Sequence, residues 1–169
     1  DVLVNNAAIL GPVGLIEDIS LHQWTRTLQV NLTGAMLTTQ AVLPSMKARR
    51  RGKIINIAGG GATGPLPRRA AYAASKAGVV RLTKFAAVSY ADRGVRVNCI
   101  APGVTPTEAY NKAGPEMGQM VIDHLLPNQP IKRVIATSEQ ADAIAWLCSD
   151  QAAMVTGHVL PGDGGWTAQ

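Results

Sequence analysis

The sequence is poor in the residues that would build a metal centre, a disulfide framework or a membrane span. Its two cysteines, Cys99 and Cys148, lie in apolar runs with no CxxC spacing. Disulfide scaffolds need a dense, even set of cysteines, so both are expected to be buried free thiols in a reducing cytoplasm. The three histidines, His22, His124 and His158, are scattered without ligand spacing, so no metal site is expected. No apolar run approaches the roughly 20 residues of a membrane-spanning helix. No basic n-region, apolar h-region and cleavage site opens the chain, which gives secretion no support and makes a cytoplasmic location the expectation.

Charge is also sparse, at 16% of residues against 47% apolar, an ordinary globular balance over 169 residues. One domain, residues 1–169, is expected. The net charge of +5 is mostly dispersed. Its one dense run, from Lys47 through Arg49, Arg50 and Arg51 to Lys53, follows a helical pattern, where cations complement the helix C-terminus. Neither interleaved aromatics nor a basic amphipathic helix accompanies the run, so neither nucleic acid nor membrane is an expected partner.

Short apolar segments alternate with helical ones along the chain. "DVLVNNAA" is a strand pattern that begins at residue 1 with no turn before it, as in a truncated chain. Ser20 is a candidate N-cap for a long helix carrying Leu21, Trp24, Leu28, Leu32, Ala35, Met36 and Leu43, with a kink expected near Pro44. "GKIINIA" is a second strand, followed by a glycine-rich loop and a helix from about Ala71 to Asp92. "GVRVNCIAPG" is a third strand. Residues 104–132, with four prolines, form an excursion long enough to be a substrate lid. "TSEQADAIAWLCSD" is a helix with Thr137 or Ser138 as the expected cap, and "TGHVLPGDGGW" supplies a last strand and turn. This order implies a parallel sheet covered on both faces, with ligands at the carboxyl ends of its strands.

The loop after the second strand leads to Tyr72 and Lys76, four residues apart and therefore on one helix face. A nearby ammonium favours the phenolate, which brings a phenol of ordinary pKa near 10 toward service as a general acid or base at neutral pH. Alone, the spacing is common. It recurs here with "NNAA" at Asn5 to Ala8, "VNLTG" at Val30 to Gly34, "YAASK" at Tyr72 to Lys76, "VNCIAPGVTPT" at Val97 to Thr107 and "TGHVLPGDGG" at Thr156 to Gly165. In order and spacing these segments resemble the short-chain dehydrogenase/reductase family.

The resemblance implies a Rossmann-like, doubly wound αβα domain that lacks the family's first strands and glycine-rich phosphate loop. It also implies an oxidoreductase that moves a hydride between NAD or NADP and a carbonyl or secondary-alcohol substrate. Tyr72 would exchange the proton, Lys76 would assist it and hold the cofactor ribose, and Asn31 would hold a water linking Lys76 to solvent. Asn5, Ala7 and Ala8 would line the adenosine side of the cofactor, and Pro102, Gly103, Val104 and Thr107 would flank its nicotinamide. A homodimer or homotetramer would form through the long helix and the tyrosine helix. The family's carbonyl-orienting serine falls about where Gly59 stands; Thr63 is the nearest loop hydroxyl, and Gly59→Ser is expected to raise turnover if that donor limits the rate. A non-catalytic homologue that binds a nucleotide or a protein is the alternative.

Overall fold

A computed structural model describes residues 1–62, 66–108, 119 and 122–168. Its strands are β1 (Val2–Asn5), β2 (Gly52–Ile57), β3 (Val95–Pro102) and β4 (Val159–Gly162), hydrogen-bonded in that order and all parallel. Pairing of Asn5 with Asn56, and of Ile57 with Ile100, aligns the carboxyl ends of the first three strands at one end of the sheet. In β2, Ile54, Ile55 and Asn56 are all buried although successive side chains alternate faces. Both faces of the sheet are therefore covered, as expected for a doubly wound fold.

Helix α1 (Leu21–Leu28) opens on Ser20, whose Oγ accepts from the Gln23 N–H while the Gln23 amide oxygen accepts from the Ser20 N–H. That reciprocal pair satisfies two donors at the helix start. The long helix then departs from the expectation. It is interrupted at Gln29–Thr33, which winds as a π-turn, before continuing as α2 (Gly34–Ala48) with Pro44 inside it. The break in α-helical bonding thus falls at Asn31, about three and a half turns before Pro44.

Helix α3 (Ala70–Tyr90) packs beside α2 on the sheet. Leu43 and Met46 of α2, Ala86 and Ala87 of α3, Ile54 of β2 and Val95 and Val97 of β3 form one buried cluster. Gly78 lets α3 approach the π-turn closely, because a Cβ there would lie 2.7 Å from the Leu32 side chain. The basic run behaves as a helix end should: α2 stops at Ala48, Arg49 is its C-cap, and Lys53 pairs with Asp150 at 3.3 Å.

Helix α4 (Thr137–Cys148) corrects a second expectation, because its N-cap is Ala136 and neither Thr137 nor Ser138. The Glu139 carboxylate supplies what a cap side chain would have, accepting from the Ala136 N–H at 2.8 Å. Arg133 grips the same carboxylate at 2.7 and 2.8 Å and holds its pKa down to about 2. Cys99 is buried as expected, whereas Cys148 is only half-buried.

Candidate active site

The loops after β1 and β2 meet the start of α3: Arg69 donates to the Leu10 and Gly11 carbonyls, and Gly59 lies against the Tyr72 hydroxyl. Lys76 is the centre. Its side chain is 2% exposed, and Nζ donates to the Ile57 carbonyl, the last of β2, at 2.7 Å. Burial pulls its pKa from 10.5 down to about 8, with the neighbouring Cys99 acting weakly in the opposite sense. Burial in turn pushes the Cys99 thiol up to about 11, so the thiol stays neutral beside the ammonium. Lys76 Nζ lies 5.8 Å from the centre of the Tyr72 ring. A cation held at that range is close enough to favour negative charge on the phenol oxygen and to take part in its proton exchange.

Gly59 is brought against the tyrosine. Its φ is +150°, and a Cβ built on it would lie 3.1 Å from Tyr72 Oη. The position is therefore beside the phenol oxygen, as the thirteen-residue offset suggests, but its backbone is one that residues with a side chain rarely adopt. This reverses the expectation for Gly59→Ser: a serine would strain the loop and crowd the phenol. Thr63 lies outside the described residues. Ser75 is buried, and its Oγ donates to the Tyr72 carbonyl at 2.7 Å. That bond turns the hydroxyl into its own helix, where it cannot serve as the missing donor.

Asn31 holds the site's far wall. From the π-turn its Nδ2 donates to the Ile9 carbonyl at 2.9 Å and to Ser75 Oγ at 3.0 Å, while its Oδ1 accepts from the Ile9 N–H at 2.8 Å. The side chain thereby ties the loop after β1 to the tyrosine helix. π-turns of this kind are frequent at functional sites, because the extra residue re-aims a side chain. A second tie runs from the Gly14 N–H to the Arg68 carbonyl at 3.0 Å, just before α3.

The other sequence-selected residues divide by how much of them is free. The Asn5 side chain is engaged: Nδ2 donates to Asn56 Oδ1 at 2.8 Å, and Oδ1 accepts from the Thr38 hydroxyl at 2.6 Å. Ala7 and Ala8 are exposed in the loop beyond it. Pro102 ends β3, and Gly103 lies so near Asp163 that a Cβ would meet its backbone at 2.6 Å. Val104 is buried and Thr107 exposed. The "GDGG" segment is a turn built by Asp163, whose carboxylate accepts from the N–H groups of Gly165 and Thr167. It carries Trp166 over Gly60, where a Cβ would touch the indole at 3.4 Å. Sequence reasoning missed Thr105, whose hydroxyl is buried with no hydrogen-bond partner among the described residues. No local pattern signals it, because it stands between the two prolines of an ordinary-looking loop.

A buried amine with a phenol beside it, at the carboxyl ends of a doubly wound parallel sheet, fits a nucleotide-dependent oxidoreductase. Comparison with known proteins agrees. A family model described as enoyl-(acyl carrier protein) reductase matches residues 1–167. The D-beta-hydroxybutyrate dehydrogenase of Rhizobium meliloti is 38% identical over 177 aligned residues, covering 100% of this chain and 68% of that protein. The 3beta-hydroxysteroid dehydrogenase 1 of Eggerthella lenta is 44% identical, covering 99% of this chain and 63% of that protein. Among solved structures, NADP-bound ElxO superposes with a TM-score of 0.93 at 32% identity, over 100% of this chain and 68% of that one. The chain belongs to the short-chain dehydrogenase/reductase family, and it spans about two thirds of the length of these curated relatives.

Proposed function

We propose that the whole protein is an NAD(P)-dependent oxidoreductase that interconverts a carbonyl compound and a secondary alcohol. The observation that carries this reading is the buried Lys76 amine, with its pKa near 8, at 5.8 Å from the Tyr72 ring. The nicotinamide, when bound, supplies a hydride to the carbonyl carbon or takes one from the alcohol. The protein's own part is the proton. In reduction Tyr72 donates its phenolic proton to the substrate oxygen as negative charge develops there, and in oxidation it takes the proton back. Lys76, charged at pH 7, opposes the cost of the transient phenolate and can return the proton near neutral pH because its affinity for it is already weakened.

Asn31 acts as a positioning residue, fixing the loop after β1 against α3, and a water held near it would connect Lys76 to solvent. Asn5, Ala7 and Ala8 would line the adenosine side of NAD or NADP. The Asn5 side chain is committed to Asn56 and Thr38, so its contribution would come from backbone. Pro102, Gly103, Val104 and Thr107 would flank the nicotinamide, and Lys76 would also reach the ribose. Residues 104–132 would form the lid that selects the substrate. Leu37, Phe85 and Val88 expose 53%, 64% and 85% of their surface on α2 and α3, apolar area that suits a homodimer or homotetramer contact.

Gly59 favours the alternative of a non-catalytic homologue, since the loop carries no side-chain donor at that position. One comparison separates the two. Tyr72→Phe is expected to lower hydride transfer by about 10²–10⁴-fold while leaving folding and nucleotide binding intact. Equal rates for both forms on every active carbonyl substrate would refute the catalytic assignment.

A further inference from the structure

The opposite end of the sheet carries its own cluster of charge. Where β2 and β3 begin, roughly 17 Å along β2 from the Ile57 carbonyl that Lys76 holds, there is an open cleft of about 760 Å³. Its charged lining is Arg49, Arg50, Arg51, Lys53 and Arg96 against a single carboxylate, that of Asp150. A cleft of this size lies in the range of small-molecule sites.

Three segments build the cleft, and each is pinned. After α2, Arg50 takes a left-handed φ of +49°, and its guanidinium donates to the Asp92 carbonyl at 2.8 Å. The turn before β3 lies against that backbone. The Gly52 N–H donates to the Gly94 carbonyl at 3.2 Å, and a Cβ on Gly94 would overlap the Arg50 carbonyl. After α4, the Arg96 guanidinium gathers the carbonyls of Leu147, Ser149 and Val155 at 2.9, 3.0 and 3.2 Å. The cleft is therefore formed before any ligand arrives, which lowers the cost of binding one.

Structural duties account for only part of this charge. Arg49 stands at the end of α2, where cations are favoured, Arg96 caps α4, and Lys53 pairs with Asp150 at 3.3 Å. Arg51 lies beyond the α2 cap, and its exposed side chain has no hydrogen bond or ion pair among the described residues. Nearby Asp1 approaches Arg49 only to 3.9 Å, outside hydrogen-bond range. Like charges gathered in one preformed cleft repel each other until an anion joins them.

We infer that this cleft binds a phosphate-chain anion, of the kind found in inorganic polyphosphate and in nucleoside triphosphates, at a site separate from the proposed nicotinamide site. Guanidinium groups fork onto phosphate oxygens in paired hydrogen bonds, a geometry lysine lacks, and arginine outnumbers lysine in the lining by four to one. A single phosphate would occupy a small part of the cleft, whereas a chain of phosphates spreads its charge along it. The inference does not depend on the nicotinamide reading.

The test is calorimetric titration of the whole protein with tripolyphosphate and, with NADH or NADPH saturating the other site, with magnesium-free ATP. Wild type is expected to take up tripolyphosphate saturably. Arg51→Ala should weaken that binding about tenfold, as loss of charge-assisted hydrogen bonds implies, with the urea-unfolding midpoint and reduced-cofactor binding unchanged. Arg26→Ala removes an exposed cation from α1, outside the cleft, with the same change in net charge, and should bind tripolyphosphate as wild type does. ATP binding no tighter than tripolyphosphate would assign the phosphate chain alone; tighter binding would assign the nucleoside triphosphate. Absence of saturable uptake, equal weakening by Arg26→Ala and Arg51→Ala, or displacement of tripolyphosphate by reduced cofactor would each overturn the inference. So would retention of duplex DNA through Arg51 without saturable tripolyphosphate binding, which would make the cleft a nucleic-acid face.

Discussion

The burial of Lys76 has a consequence for folding that can be measured without any substrate. In the folded chain its amine releases its proton near pH 8, whereas the ordinary value is 10.5. Below pH 8 both the folded and the unfolded chain carry the proton, and the folded chain carries it at a cost. Between pH 8 and 10.5 the folded state is neutral there while the unfolded state still binds the proton, so stability must rise with pH across this window. At about 1.4 kcal/mol per tenfold change in proton affinity, the full rise is roughly 3 kcal/mol. The site is 2% exposed, so solvent screening discounts this figure little. Lys76→Met removes the titrating group and keeps most of the side-chain volume. Urea unfolding of both proteins from pH 7 to 11 would give the difference in stability at each pH. The expected curve is flat to about pH 8 and then climbs in favour of wild type until about pH 10.5. Cys99, raised from 9.0 to about 11 on folding, contributes a slope of the opposite sign between those values, but both proteins carry it, so it cancels in the difference. A difference curve that stays flat, or that falls as pH rises, would refute the claim that Lys76 holds its charge at a cost in the folded chain.

Two further changes probe the walls of the site. Gly59→Ser should destabilise the fold by about 1–3 kcal/mol, because φ is +150° there. It should also lower turnover by displacing the phenol; a gain in turnover with unchanged stability would show that the loop relaxes and that the absent donor was limiting. Asn31→Ala removes three hydrogen bonds between the π-turn, Ile9 and Ser75. It should cost about 2–4 kcal/mol and sharply reduce hydrogen-exchange protection of the Ile9 amide; unchanged protection at Ile9 would exclude Asn31 as the clamp on that loop.

Much of this architecture is legible in the chain because its causes are local. Ser20 followed by Gln23 makes a helix start by itself, through bonds within a single turn. The runs "IINI" and "VRVNCIA" mark strands buried on both faces, since apolar residues fill adjacent positions, as at Ile54 and Ile55 and from Cys99 to Ala101, with only Asn56, Arg96 and Asn98 polar. Tyr72 and Lys76 share a helix face through periodicity alone. Where the reading of the long helix failed, the cause was distant. Asn31 bonds to Ile9, 22 residues away, and to Ser75, 44 residues away, and those partners are held where a π-turn presents its amide to them. Pro44 is a conspicuous local signal, but it sits in the interior of α2. The start of α4 failed for a related reason. Glu139 is captured by Arg133 and the Ala136 N–H, so the helix begins one residue earlier than its hydroxyls suggest.

The sequence by itself determined the order of strands and helices, the family, and the pairing of a phenol with an amine, because spacing and polarity act over a few residues. Only the tertiary structure decided what state those groups are in. Packing against the end of β2 buries Lys76 and lowers its proton affinity. The loop after β2 presses a bare glycine against the phenol, and the loop after β3 seals a hydroxyl that has no partner among the described residues. Each depends on dehydration and contact between segments far apart in the chain.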